Sequence, residues 1–169
     1  MYVAPQQVAA AAMSHQVPAT GPVKVRIALD YFHNGERQRE PTIPFTPYAK
    51  KVIDALPAFV VVDDSNAPEM KLTLISTIDS DTATSQTLKS AFSAGFAEAT
   101  FHRDWALKAE LSGFRASPLS AESKDRFTVT TRSQNAPPGS VPLGAVDGHH
   151  ALYDALIYPA MSKLINQMN

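Results

Sequence analysis

Four stretches of the chain carry residue types that could do chemistry or bind. The first is His102-Arg103-Asp104 in ATFHRDWAL, three letters shared with the protein-kinase catalytic loop. That loop has the pattern HRDxxxxN, because the carboxylate and the amide together hold magnesium and the substrate hydroxyl. Position 109 is Ala109, and the chain has no DFG and no glycine-rich phosphate loop. Kinase chemistry is excluded. The three residues read instead as the polar edge of a strand that opens at Trp105.

The second is Asp147 with His149 and His150. Neighbouring residues on a helix project about 100° apart, so adjacent histidines rarely share one ion. They read as solvated side chains at a helix start. His33 and His102 could converge on them from elsewhere, but no spacing calls for it. The third is Asp63-Asp64, at the end of an apolar run where carboxylates of α/β active sites often stand. DDSNAP is also ordinary turn composition, since Asp and Asn side chains accept backbone hydrogen bonds. IDSDTATS lacks the glycine and the closing glutamate of a calcium loop. GxSxG, P-loop and dinucleotide fingerprints are absent. The expectation is no catalytic residue, no metal ligand and no cofactor. A small hydrolase or metal-dependent enzyme using Asp63, Asp64, His102, His149 or His150 is the alternative.

The fourth is apolar. Leu88, Phe92 and Phe96 recur every four positions, with Ala91, Gly95 and Ala99 beside them and Phe101 beyond. Alone, that spacing favours a helix over this part of 82–103; an extended, glycine-bearing excursion from a sheet is the other reading. Core packing explains it most simply. The functional reading is contact of Leu88, Phe92, Phe96 and Phe101 with a partner or a lipid.

These stretches need elements to hold them. In VKVRIALDYF, Val23, Val25, Ile27, Leu29 and Tyr31 alternate with polar residues, as in a half-buried strand. HNGERQREP is a polar turn centred on Asn34-Gly35. Phe45, Tyr48, Val52, Ile53 and Leu56 fall at helical spacing, with Thr46 placed to cap, Pro47 at the first turn and Pro57 as a stop. FVVVDDS reads as a buried strand that forms a hairpin with EMKLTLISTI. WALKAELSGF and DRFTVTTR alternate too, with SPLSAESK as the loop between them. SQNAPPGSVPLG is a proline-rich loop. The last helix carries Leu152, Leu156, Leu164, Ile165 and Met168 on one stripe, with Asp147 as its cap and Pro159 as a kink or break.

The first 22 residues carry no Asp, Glu, Lys or Arg and are punctuated by Pro5, Pro18 and Pro22. They read as a flexible tail or tether, with residues 23–169 as a single α/β globular domain. The expected fold is α+β: one mixed or mainly antiparallel sheet of about five strands, two helices packed on one face, and a disordered N-terminal tail. A net charge of −1 gives no basic footprint for nucleic acid. Cysteine is absent, which excludes disulfides, thiolate metal sites and a cysteine nucleophile.

SAGFAEATFHRDWALKAEL, FTVTTRSQNAPPGSVPLG and DALIYPAMSKLINQM follow in an order that resembles small Gram-negative envelope lipoproteins with an α/β periplasmic domain. The resemblance runs from Val23 to Met168. It implies a periplasmic protein without enzymatic activity, working by protein–protein contact in the cell envelope. Its expected partner is an envelope protein or lipid component. It would meet the outer membrane only through a lipidated cysteine that this chain does not contain. A lipid- or glycan-binding module is a further alternative.

Overall fold

The computed structural model describes residues 2–4, 17–41, 43–78, 100–130, 141–142 and 146–169. The apolar alternation from Val23 forms strand β2 (Val23–His33). Asn34 and Gly35 then both take positive φ, 49° and 82°, the requirement of a two-residue hairpin turn that matches strand twist. The chain turns back at once as β3 (Glu36–Gln38), with Tyr31 opposite Gln38. Sequence alone marks the turn but not the returning strand.

Helix α1 (Phe45–Ala55) starts one residue before the expected Thr46 cap. Pro44 occupies the cap position without a side-chain hydrogen bond, and Thr46 and Pro47 lie in the first turn. After Leu56 ends the helix, β4 (Phe59–Val61) returns parallel to β2. Strand β5 (Glu69–Ile78) follows, and here the expected hairpin fails. Both β4 and β5 pair with β2, in parallel, on its two edges. The N–H of Val23 bonds Ala58, whereas that of Arg26 bonds Pro68. Residues of opposite parity therefore serve opposite edges. Each edge of β2 offers a full ladder, which gives β4 and β5 separate partners.

Strands β6 (Thr100–Ser112) and β7 (Leu119–Thr130) make the long antiparallel hairpin. It is longer at both ends than the sequence indicates. Strand β6 begins at Thr100 rather than Trp105, and Leu119–Lys124 is strand rather than loop. The turn is 113–118, where Gly113 has φ +85° and a Cβ would meet Pro68 Cα at 3.5 Å. Two short strands complete the sheet, β1 (Tyr2–Ala4) against β7 and β8 (Val141–Pro142) against β1.

The fold is thus α+β, with one mixed eight-stranded sheet in the order β3-β2-β5-β6-β7-β1-β8 and β4 beside β2. The five expected strands are β2, β4, β5, β6 and β7; the three others span two or three residues each. The presumed tail therefore contributes strand β1, and Ala19 N–H donates to Asn169 Oδ1 at 2.8 Å. Residues 5–16 lie outside the described residues.

One sheet face carries Val25, Met70, Leu72, Leu74, Trp105, Leu107, Leu111 and Phe127, all buried. Helix α2 (Val146–Met168) lies over β6 and β7 on this face, and α1 beside it. Tyr153 of α2 joins the layers, its ring 4.9 Å from Phe45 and 5.9 Å from Trp105. Asp147 falls inside the first turn of α2 rather than capping it, and Pro159 does not break the helix. Pro159 has no N–H for the Ala155 carbonyl. One residue on, Ser123 Oγ–H donates to the Leu156 carbonyl at 2.6 Å and ties the helix to the sheet. Arg115 donates to the Gln167 and Met168 carbonyls and closes the helix end.

Candidate functional site

Period-two alternation divides the HRD triplet between the two sheet faces. His102 and Asp104 are exposed on the face away from the helices. There Arg126 holds Asp104 with two hydrogen bonds, Nε to Oδ1 at 2.8 Å and Nη2 to Oδ2 at 3.2 Å. The hydrogen bond from Arg126 lowers the Asp104 pKa below its ordinary value of 3.8. Arg103 goes the other way, to the helix side, two residues before Trp105.

Arg103 lines a pocket of about 380 Å³ at the end of the sheet. The pocket is built by Tyr31 and His33 from the end of β2, Gln38–Pro41 after the hairpin turn, Arg103 and Trp105 from β6, and His149 from the first turn of α2. Strand register explains the convergence. His33 pairs with Ser76, Ser76 with Trp105, and Trp105 with Asp125, so four neighbouring strands place one polar-aromatic row on the helix side. Ser76 is fully buried at its centre. Its Oγ lies 2.7 Å from His33 Nδ1 and 3.1 Å from Tyr31 Oη. Asp125 is also buried, and its Oδ1 accepts the Arg126 N–H at 2.8 Å.

The pocket is rich in donors without acceptors. Arg103 Nε and Trp105 Nε1 are both buried and have no hydrogen-bond partner among the described residues. Neither group can accept, so each needs an oxygen from outside its own side chain. Arg103 makes no ion pair among the described residues; its guanidinium carbon lies 5.9 Å from the indole centroid. Burial pulls its pKa below the ordinary guanidinium value. Leaving each such donor unmet costs on the order of 1–3 kcal/mol, a penalty rarely tolerated in a purely structural role.

The other candidates have structural duties. Asp64 Oδ1 accepts the Asn66 N–H at 2.9 Å, an Asx turn, and Asp63 is exposed beside it. His150 stacks on Tyr48 with centroids 3.8 Å apart. Tyr48 Oη–H donates to Asp154 at 2.7 Å, and burial raises the pKa of both groups. His149 is the one residue of the proposed enzymatic set that reaches the pocket, and it does so without Asp63, Asp64 or His102. No group of three metal-ligating side chains occurs among the described residues. Leu88, Phe92 and Phe96 lie outside the described residues. Phe101 stands in β6 opposite Val129.

Sequence reading missed the pocket, although its signal was present. Two apolar alternations turn polar at matching ends: Tyr31 and His33 close β2, and Ser76 interrupts the inward row Met70, Leu72, Leu74 of β5.

The opposite sheet face has no element over it among the described residues. Lys71, Thr73, Lys108, Glu110, Ser120 and Glu122 line one trough of about 580 Å³. Ile75, Thr77, Asp104, Ala106, Lys124 and Arg126 line a second, of about 470 Å³, further along the same strands.

Fold and geometry define a single-sheet α+β protein with a donor-rich end pocket and a sheet face that no element covers among the described residues. No protein-family model matches the chain, and comparison with curated proteins gives no match either.

Proposed function

We propose that the protein is a non-enzymatic binding module of the Gram-negative cell envelope that acts by contact with another envelope protein through the sheet face away from the helices. The observation that carries this reading is the charge pattern across β5, β6 and β7. Lys71 stands opposite Glu110, Lys108 opposite Glu122, and Asp104 opposite Arg126. Thr73, Ile75, Thr77 and Ala106 lie between them. A broad, rigid surface of alternating sign with small apolar patches is suited to a protein partner of matching pattern. An anionic membrane or a nucleic acid would call for one sign.

The periplasmic setting, and an anchor at the outer membrane through a lipidated cysteine, rest on the sequence resemblance. The contact proposed for Leu88, Phe92, Phe96 and Phe101 rests on their apolar spacing in the sequence. Pull-down from envelope extracts tests both surfaces. Wild type is compared with a Thr73→Arg, Ala106→Arg variant and with a variant carrying serine at the four apolar positions. Loss of one captured protein in the first variant supports the sheet face. An unchanged set in the first and a loss in the second moves the contact to the apolar segment. Unchanged sets in both refute the reading.

A further inference from the structure

We infer that the end pocket is a binding site for a small oxyanion, a carboxylate or phosphate group, held by Arg103 and Trp105. The inference does not depend on the envelope reading and concerns the other side of the sheet.

The donors set the chemistry of the ligand. Arg103 and Trp105 line the pocket, and their Nε–H and Nε1–H are buried without an acceptor among the described residues. Arg39, Arg103 and Glu40 are the residues of fixed charge in the lining, which gives a net of +1 before either histidine is protonated. His33 is oriented by Ser76 through Nδ1, which leaves Nε2 as its remaining polar atom. A ligand that fills this site must bring acceptors and negative charge.

An oxyanion meets both needs at once. A guanidinium presents parallel N–H groups that fit two oxygens of one carboxylate or phosphate. Arg103 and Trp105 are neighbours on one face of β6, with the guanidinium carbon 5.9 Å from the indole centroid. A cation is excluded by Arg103, and a neutral apolar ligand would leave both donors unmet. Glu40 is exposed at the rim, where its carboxylate disfavours a polyanion and favours a ligand of low charge.

The chain has one tryptophan, and it is Trp105 in this wall, so indole emission reports the pocket directly. The protein is titrated with inorganic phosphate and, separately, with succinate, at ionic strength held constant with sodium chloride. Emission and titration calorimetry are followed in parallel. A saturable response to either anion is expected. Arg103→Met should weaken it at least tenfold, and Arg103→Lys, which keeps the charge but not the fork, severalfold. Lys51→Met, exposed on α1 and outside the pocket lining, should leave it unchanged. The ratio of the two dissociation constants assigns the group to phosphate or carboxylate. Absence of saturation with both anions overturns the site. So does an unaltered response in Arg103→Met, or an equal loss in Lys51→Met.

Discussion

Arg103→Met is expected to make the free protein more stable, not less. The buried Nε–H without an acceptor costs on the order of 1–3 kcal/mol. The contact of the guanidinium with the Trp105 ring, at 5.9 Å, offsets about 0.5–1 kcal/mol of that. Methionine keeps an unbranched apolar stem in the same space and brings no donor, so packing changes little. The balance is a gain of about 1 kcal/mol, or roughly 2–4 °C in Tm for a domain of this size. Urea and thermal unfolding in chloride buffer, free of phosphate and carboxylate, measure it. Addition of a bound anion at ten times its Kd should then stabilise wild type by about 1.4 kcal/mol and a variant weakened tenfold by about 0.4 kcal/mol, which closes the gap between them. A variant that loses about 1 kcal/mol or more in chloride would show that the guanidinium is structurally satisfied, and the reasoning from unmet donors would fall.

Leu72, fully buried in central β5, should cost about 2–5 kcal/mol when changed to alanine, read as a lower urea midpoint at unchanged slope. Ser76→Ala removes the shared partner of His33 and Tyr31 and should cost about 1–3 kcal/mol; a cost near zero would mean that water replaces the hydroxyl. Gly35→Ala meets no atom within 4 Å, so its loss, about 1–2 kcal/mol in denaturant titrations, isolates the backbone penalty of φ +82°. Asp154→Asn keeps an acceptor for Tyr48 and removes a carboxylate whose pKa is raised above 3.8, chiefly by burial. A raised carboxylate pKa destabilises the fold above the folded value, and that cost vanishes below the unfolded one. The variant should therefore be the more stable protein at neutral pH. Its advantage should shrink as pH falls through the raised value and disappear below about 3.8; an advantage that persists at pH 3 would point to packing instead.

Much of the secondary structure was legible because one face of each element is buried. The alternation from Val23 to Tyr31 and the stripe from Phe45 to Leu56 record the core they face. Strand partners were not legible. Periodicity marks FVVVDDS and EMKLTLISTI as extended, but it does not tell that both lie against β2. The start of β7 was missed for a different reason. Its inward residues Ala121 and Ser123 are small or polar, because α2 packs closely there and takes a hydrogen bond from Ser123. The division of the HRD triplet could have been read from strand parity alone, since Arg103 must share a face with Trp105. It was obscured by starting the strand at Trp105, five residues after its first ladder pair, Thr100 with Thr130.

The pairing of β2 on both edges has a kinetic consequence. All its neighbours, β3, β4 and β5, follow it in the chain. Arg26 meets Glu69 across 43 residues. During synthesis, β2 emerges before the strand that closes its longer edge. The β6–β7 hairpin closes locally, whereas the parallel β2–β5 ladder must first hold a long loop and then align, which is the slower kind of step. For that interval an apolar strand presents an unpaired edge. Assembly of this sheet is therefore most exposed to mispairing at β2.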